Sequence, residues 1–473
     1  MPAKKTHEKP RQEKQKTQSP KKASMKKPSK KAKPGHWLWL WLGFTGVAML
    51  SATAGAMLAV SLSSMPLLQS RLSPEEAAVF SKGGKLTRSS MRLPELTRPV
   101  NILVLGVKVL ASDIDESAIH PSGYDPVINS FDGLADTMLL LRFDPESKKI
   151  AVLSIPRDTQ VNIEGHGVTK INAANDHGGP ALTAKTASKL LGDVGIDRYV
   201  RVNVQGVEKL IDALGGVEVY VPKDMKYKDD TQHLYIDLKE GQQHLDGNKT
   251  LQLLRFRYDE YGDLGRVQRQ QMVMRALMEQ ALNPGTLGRL PKILSVIQSH
   301  IDTNLSVEEL VALVGFGVHT KRSDVNMLIL PGDFNGNGQH EVSYWLPNRR
   351  KIRQMVAQYF DEGYTEDNPE VSQRGVRVAI QDSTNEPEAV QSLINKLREA
   401  GYRQIYVDKP WKEPLDVTRI VAQQGDDSTA STIRDNLGFG DVRVESTGSL
   451  ASDITIQLGK DWLEKQDTGR LGF

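Results

Sequence analysis

From Gly35 to Ser70 the chain carries no Asp, Glu, Lys or Arg. Its heart, Trp37 to Val60, is apolar or small throughout. A helix needs about 20 such residues to cross the hydrocarbon of a bilayer. Trp37, Trp39 and Trp41 cluster at one end, where indole rings suit the boundary between water and lipid. A cleaved signal peptide, cut near Ala52 to Ala56, is the competing reading. Its apolar region is expected to run only about 7–15 residues. The length and flanks therefore predict one uncleaved transmembrane helix over 36–62. No later stretch is as apolar, so a single span is expected.

The preceding residues orient that span. Met1 to Pro34 holds 13 Lys and Arg against two acids, Glu8 and Glu13, a charge of +11. The whole chain carries +3, so the remainder carries −8. Lys-rich sequence broken by Pro, Ser and Gln cannot bury apolar surface, and 1–34 reads as a disordered tail. Positive flanks stay in the cytoplasm. The expected place is the cytoplasmic membrane, single-pass, with the N-terminus inside and the bulk of the chain outside. The basic charge belongs to the tail, so a nucleic-acid-binding fold is not implied. The chain has no cysteine, which removes disulfides and thiolate chemistry.

Beyond a polar linker at 72–98, Val100 to Gly106, Met138 to Leu141 and Ile150 to Ile155 are continuous apolar runs. Such runs suit strands buried on both faces of a sheet. Helical periodicity covers Ala181–Leu191, Val207–Leu214 and Arg269–Leu282, with Gly215-Gly216 stopping the second before the strand Val217–Val221. The expected fold is α/β: a layered α/β/α domain over 99–358, a linker over 359–374, a small α/β domain over 375–462 and a tail from 463. In the small domain strands are expected at Val376–Ile380, Arg403–Val407, Thr418–Ala422, Val442–Glu445 and Ile454–Leu458. Helices are expected at Pro387–Ala400 and Thr429–Leu437.

Four features of the larger domain carry chemistry. Asp136 opens a strand, where a carboxylate can hold a hard cation or simply cap a turn. Arg157 lies just past the end of a buried strand, the position where ligands of open α/β sheets bind. Its planar fork suits phosphate, although an ion pair with Asp158 would also explain it. Lys170 is a second cation nearby. If Leu254 to Tyr258 is a strand, Arg255 and Arg257 share a face, and an anion or the acids Asp259 and Glu260 must separate them. Gly262-Asp263 precedes a helical pattern in which Arg266 and Gln270 lie one turn apart, at an end that favours anions. Together the arginines ask for a polyanion, and a pyrophosphate fits. Asp333 to Gly338 is similar to the start of a calcium loop, but Tyr344 stands where that loop needs Glu, so a turn is expected. The histidines show no metal-ligand spacing.

These segments resemble the LytR-CpsA-Psr family of cell-envelope phosphotransferases. The resemblance runs from Asn101–Gly106 through Asp136-Thr137, Ser154–Asp158, Lys170–Asn172, Gly178-Gly179 and Leu214–Val217. It ends at Arg255–Arg257, Gly262–Arg266 and Arg269-Gln270. The region from Val376 to Trp462 is similar to the small LytR C-terminal domain often attached to that family. The resemblance implies transfer of a glycopolymer from a polyprenyl pyrophosphate carrier to peptidoglycan through a phosphodiester, in cell wall biogenesis. It implies that the isoprenoid lies in an apolar pocket of the α/β domain. It implies Asp136 as the Mg²⁺ ligand, with Arg157, Arg255, Arg257, Arg266 and Gln270 on the pyrophosphate. Asp263 is implied as base for the incoming hydroxyl or as a helper that positions the arginines. The implied partners are the lipid-linked glycan, peptidoglycan and membrane, with no nucleic acid. One position departs from the family: Lys108 stands where an Asp is usual, and an ammonium there repels Mg²⁺ or takes its place. Two other functions use the same residues: hydrolysis of a polyprenyl pyrophosphate, and a non-catalytic regulator that binds anionic lipid or polymer.

Overall fold

The computed structural model describes residues 67–80, 85–88, 94–107, 131–230, 234–256, 262–335, 343–360, 375–445 and 447–470. The expected transmembrane segment over 36–62 and the basic tail lie outside these residues. Among the described residues, no helix is long and apolar enough to cross a membrane.

The larger domain is built on a six-stranded mixed sheet. Its strands are β1 (Val100–Val107), β2 (Ala135–Asp144), β3 (Lys149–Ser154), β4 (Arg198–Asn203), β5 (Ile301–Thr303) and β6 (Val325–Ile329). Their order across the sheet is β5-β4-β1-β2-β3-β6. β1 and β4 run parallel, as do β3 and β6, while β2 is antiparallel to both of its neighbours. Side chains alternate across a strand, so each apolar run feeds two cores. Leu103, Leu105, Met138, Leu140 and Leu153 face one side, against the helices α1 (Ala173–Leu190) and α6 (Arg349–Tyr359). Val104, Leu139, Leu141 and Val152 face the other. There Met274 and Met278 of α4 (Gly262–Ala281) and Phe316 of α5 (Val307–His319) cover them. The result is the expected three-layered α/β/α arrangement.

Local sequence explains the element ends. α2 (Val204–Leu214) is capped by Asn203, whose side chain accepts from the Gly206 N–H at 2.8 Å. It stops at Gly215, left-handed at φ 89°, where a Cβ would be strained. α3 (Gly247–Arg255) starts at Asp246, whose Oδ1 accepts from the Lys249 N–H at 2.8 Å. α1 bends at Gly178-Gly179. Gly179 has φ 58° and ψ −154°, a region open in practice only to glycine, and Pro180 restarts the helix.

Two segments differ from expectation. The stretch read as a linker packs onto the domain: Phe80 and Leu86 are buried, and the Phe80 ring lies 5.2 Å from that of Tyr199. Ser70 is tied down beside them. The Asp302 carboxylate accepts from the Ser70 N–H at 2.7 Å and the Arg201 Nε at 2.6 Å, and Arg201 Nη2 donates to Ser70 Oγ at 2.6 Å. Asp302 and Arg201 are both fully buried, so each charge depends on the other. At the other end, the segment expected as a tail from 463 is helical to Arg470, within Asp461–Arg470.

The small domain has strands β7 (Arg377–Asp382), β8 (Gln404–Val407), β9 (Arg419–Val421), β10 (Asp441–Arg443) and β11 (Ile454–Leu458). Their order is β8-β7-β11-β9-β10. Helices α7 (Pro387–Glu399) and α8 (Asp427–Leu437) enclose a separate apolar core with them. This domain docks on the outer edge of β6. Met327 donates its N–H to the Val444 carbonyl at 2.7 Å, and Ile329 to that of Gln423 at 2.8 Å. Ion pairs join Lys351 to Asp453 at 2.6 Å and Arg377 to Asp333 at 2.9 Å. Glu445, 2% exposed, is paired to Arg322.

Candidate active site

Because β2 and β3 are antiparallel, the start of one lies beside the end of the other. Asp136, the second residue of β2, therefore meets the turn that follows β3. Ile155-Pro156 carries the chain into that turn. The Thr159 hydroxyl donates to the Pro156 carbonyl at 2.6 Å, and the Asp158 carbonyl accepts from the Trp345 N–H at 3.0 Å. The turn is thus held from both sides, and it presents Arg157 and Asp158.

The charges alternate in sign. Arg157 Nη1 donates to Asp136 Oδ1 at 2.7 Å, and its Nε lies 3.6 Å from Asp158 Oδ2. Lys170 Nζ is 2.8 Å from Asp158 Oδ1. All four side chains are partly exposed, so solvent screens them and a charged ligand can reach them. The acids hold two cations at fixed positions.

These charges form the mouth of a cleft of about 520 Å³. Behind them the lining turns apolar, with Leu139, Val152 and Met327 from the sheet and Met274 from α4. Gln270 and Gln271 of α4 also line it. Gln271 is 7% exposed, and its Oε1 has no hydrogen-bond partner among the described residues. A buried amide oxygen without a partner is costly, and a ligand hydroxyl in the cleft would satisfy it. A cleft charged at one end and apolar at the other fits an amphipathic anion.

The structure brings Asp136, Arg157 and Gln270 to this one cleft. Arg255 does not line it. The reading of Leu254 to Tyr258 as a strand is corrected: Arg255 is the last residue of α3, half-buried. The alternation of Arg255, Phe256 and Arg257 imitates a strand, but capping by Asp246 commits the preceding residues to a helix. Arg257 and Lys108 lie outside the described residues, as do the side chains of Asp263 and Arg266. The backbone of the latter two forms the first turns of α4. Arg269, next to Gln270, is buried and faces inward. It donates to the Phe256 carbonyl and stacks its guanidinium 5.7 Å from the Phe256 ring.

Among the described residues, no three acids or histidines converge as a metal cage. Mg²⁺ needs none when phosphates and water supply most of its ligands, and one or two carboxylates then suffice. Asp136 has the character that pattern asks for: one partly exposed carboxylate at the mouth of the cleft, near the cations Arg157 and Lys170.

A model of the LytR-CpsA-Psr family matches residues 71–361. A second, described as LytR cell envelope-related transcriptional attenuator, matches 375–462. The chain is 34% identical over 235 residues to the regulatory protein MsrR of Staphylococcus aureus, covering 48% of this chain and 69% of that one. It is 29% identical over 305 residues to TagV of Bacillus subtilis, a polyisoprenyl-teichoic acid–peptidoglycan teichoic acid transferase, covering 62% and 72%. TagU of Oceanobacillus iheyensis, of the same description, is 34% identical over 265 residues, covering 54% and 73%. By the extent of that first match, over a domain whose charged cleft is built from the matching segments, the chain belongs to the LytR-CpsA-Psr family.

Proposed function

We propose that this protein transfers a glycopolymer from a polyprenyl pyrophosphate carrier to peptidoglycan. The observation that carries the reading is the junction at Arg157: cations held by Asp136 and Asp158 on one side, an apolar cleft on the other. A polyprenyl pyrophosphate has that division of character. The transferases TagV and TagU, similar in sequence over most of their length, support the reaction class. The uncharged run from Gly35 to Ser70 supports a single span, with the cleft on the outer face of the cytoplasmic membrane.

In this mechanism Arg157 and Lys170 neutralise the pyrophosphate oxygens, joined by Arg257, Arg266 and Gln270. The acceptor sugar hydroxyl attacks the glycan-linked phosphorus. The bond from that phosphorus to the bridging oxygen breaks, and polyprenyl phosphate leaves. The hydroxyl proton passes to Asp263. Asp136 would hold Mg²⁺, which when bound stabilises charge on the phosphoryl oxygens. Little covalent chemistry is asked of the protein, so positioning and fixed positive charge carry the catalysis.

The test uses the full chain in detergent with a polyprenyl pyrophosphate-linked oligosaccharide, with and without peptidoglycan fragments and Mg²⁺. Mass spectrometry of the products decides. A sugar-phosphate adduct on peptidoglycan is expected, with a dependence on Mg²⁺ that Asp136→Asn weakens. Lipid phosphate released without an adduct would mean hydrolysis, and binding without turnover would mean a regulator.

A further inference from the structure

The small domain reaches the cleft itself. Its docking bonds fall on Met327 and Ile329 of β6, and both of these residues line the cleft. Beyond Val444 the chain turns at 447–451, and Leu450 joins the same apolar wall. Leu450 is 8% exposed. The turn that carries it is tethered. The Ser449 N–H donates to Thr455 Oγ1 at 2.9 Å, and the Ser449 carbonyl accepts from Ser452 Oγ at 2.9 Å and from Gln423 Nε2. Ser452 and Thr455 are fully buried, so these bonds are shielded from water. Gln423 also accepts the N–H of Ile329 through its own carbonyl. One residue thereby links the edge of the catalytic sheet to the turn that aims Leu450.

We propose that Leu450 is a specificity-determining residue for the isoprenoid tail, contributed by the C-terminal domain. The inference rests on the cleft being the site of a polyprenyl pyrophosphate. An isoprenoid offers no polar atom for recognition, so its length and shape are read only by the apolar wall it meets. A wall residue fixed by buried hydrogen bonds discriminates better than a mobile one, because a bulky ligand cannot push it aside. The pyrophosphate end is held identically whatever the tail, so Leu450 acts on the tail alone.

The experiment measures dissociation constants for the full chain in mixed micelles, without acceptor. The ligands are two oligosaccharide pyrophosphates that differ only in isoprenoid length, one short and one long. Their ratio does not depend on the fraction of protein that is folded. Wild type is expected to favour the long tail. Leu450→Trp fills the wall and is expected to lower that preference on the order of tenfold. Leu450→Met conserves volume and keeps the wild-type ratio. An unchanged ratio in Leu450→Trp, or no preference in wild type, overturns the inference while leaving the transferase reading intact. Wild type that binds neither ligand overturns both.

Discussion

Arg157 Nη1 and Asp136 Oδ1 lie 2.7 Å apart, across the gap between the end of β3 and the start of β2. The pair fixes a guanidinium at the mouth of the cleft before any ligand arrives. Arg157→Ala is expected to weaken binding of the lipid-linked pyrophosphate by about 10- to 100-fold, from ~1.5–3 kcal/mol for a hydrogen bond to a charged group. Arg157→Lys restores only part of this, because an ammonium lacks the planar fork. Titration calorimetry measures both, and wild-type affinity in Arg157→Ala would remove Arg157 from the site.

Stability at the seam with the small domain is expected to depend on pH. Burial raises the Glu445 pKa, but Arg322, Arg275, Arg443 and Arg419 together hold it below the usual range. Asp453 behaves alike: burial raises it, and Arg377 and Lys351 more than compensate. Carboxylates with depressed folded pKa values contribute stability that is complete above their unfolded values, about 4. That stability is lost as pH falls through the folded values. Melting curves are expected to stay flat from pH 7 to about 5 and to fall below that. Glu445→Gln should blunt the acid-side fall and lower stability at pH 7.

The Asp302–Arg201 pair is buried on both sides. Removing one partner leaves the other charge unpaired in the interior. Asp302→Ala is expected to cost about 3–5 kcal/mol. It should also free Ser70, and with it the segment that leads into the domain. Urea unfolding measures the first effect, and proteolysis between 63 and 80 the second. A loss under ~1 kcal/mol would show that water reaches Arg201 in the variant.

Gly179→Ala places a Cβ at φ 58° and ψ −154°. The expected cost is about 1–3 kcal/mol in urea unfolding. No such cost would mean that α1 relaxes into a regular helix.

The sequence carried much of this fold because buried strands announce themselves. Val217–Val221 and Ile454–Leu458 carry an apolar residue at every other position, with polar or turn residues at their ends, and both are strands over those same residues. Strand ends also revealed Asp136 and Arg157, since a charge beside an apolar run has few places to go. Three things were not legible. The helix under Arg255 was hidden because its last residues alternate like a strand. Gln271 differs from Gln270 by one step of helix rotation, and only packing shows that both reach the cleft. Leu450 is more than 300 positions from Asp136, and no local pattern foretells which domain it will face.

The outward N–H groups of Met327 and Ile329 end on carbonyls of the second domain. Two modules with separate cores thus share one sheet border, and neither is a bead on a string. A natural fusion or laboratory graft that exchanged the chain beyond 374 would have to supply carbonyls at the same two heights. A partner lacking them would leave a raw strand edge in the wall of the cleft, open to any passing strand. Inheritance of the two halves is therefore coupled, and a swap made for one property is expected to carry the other with it.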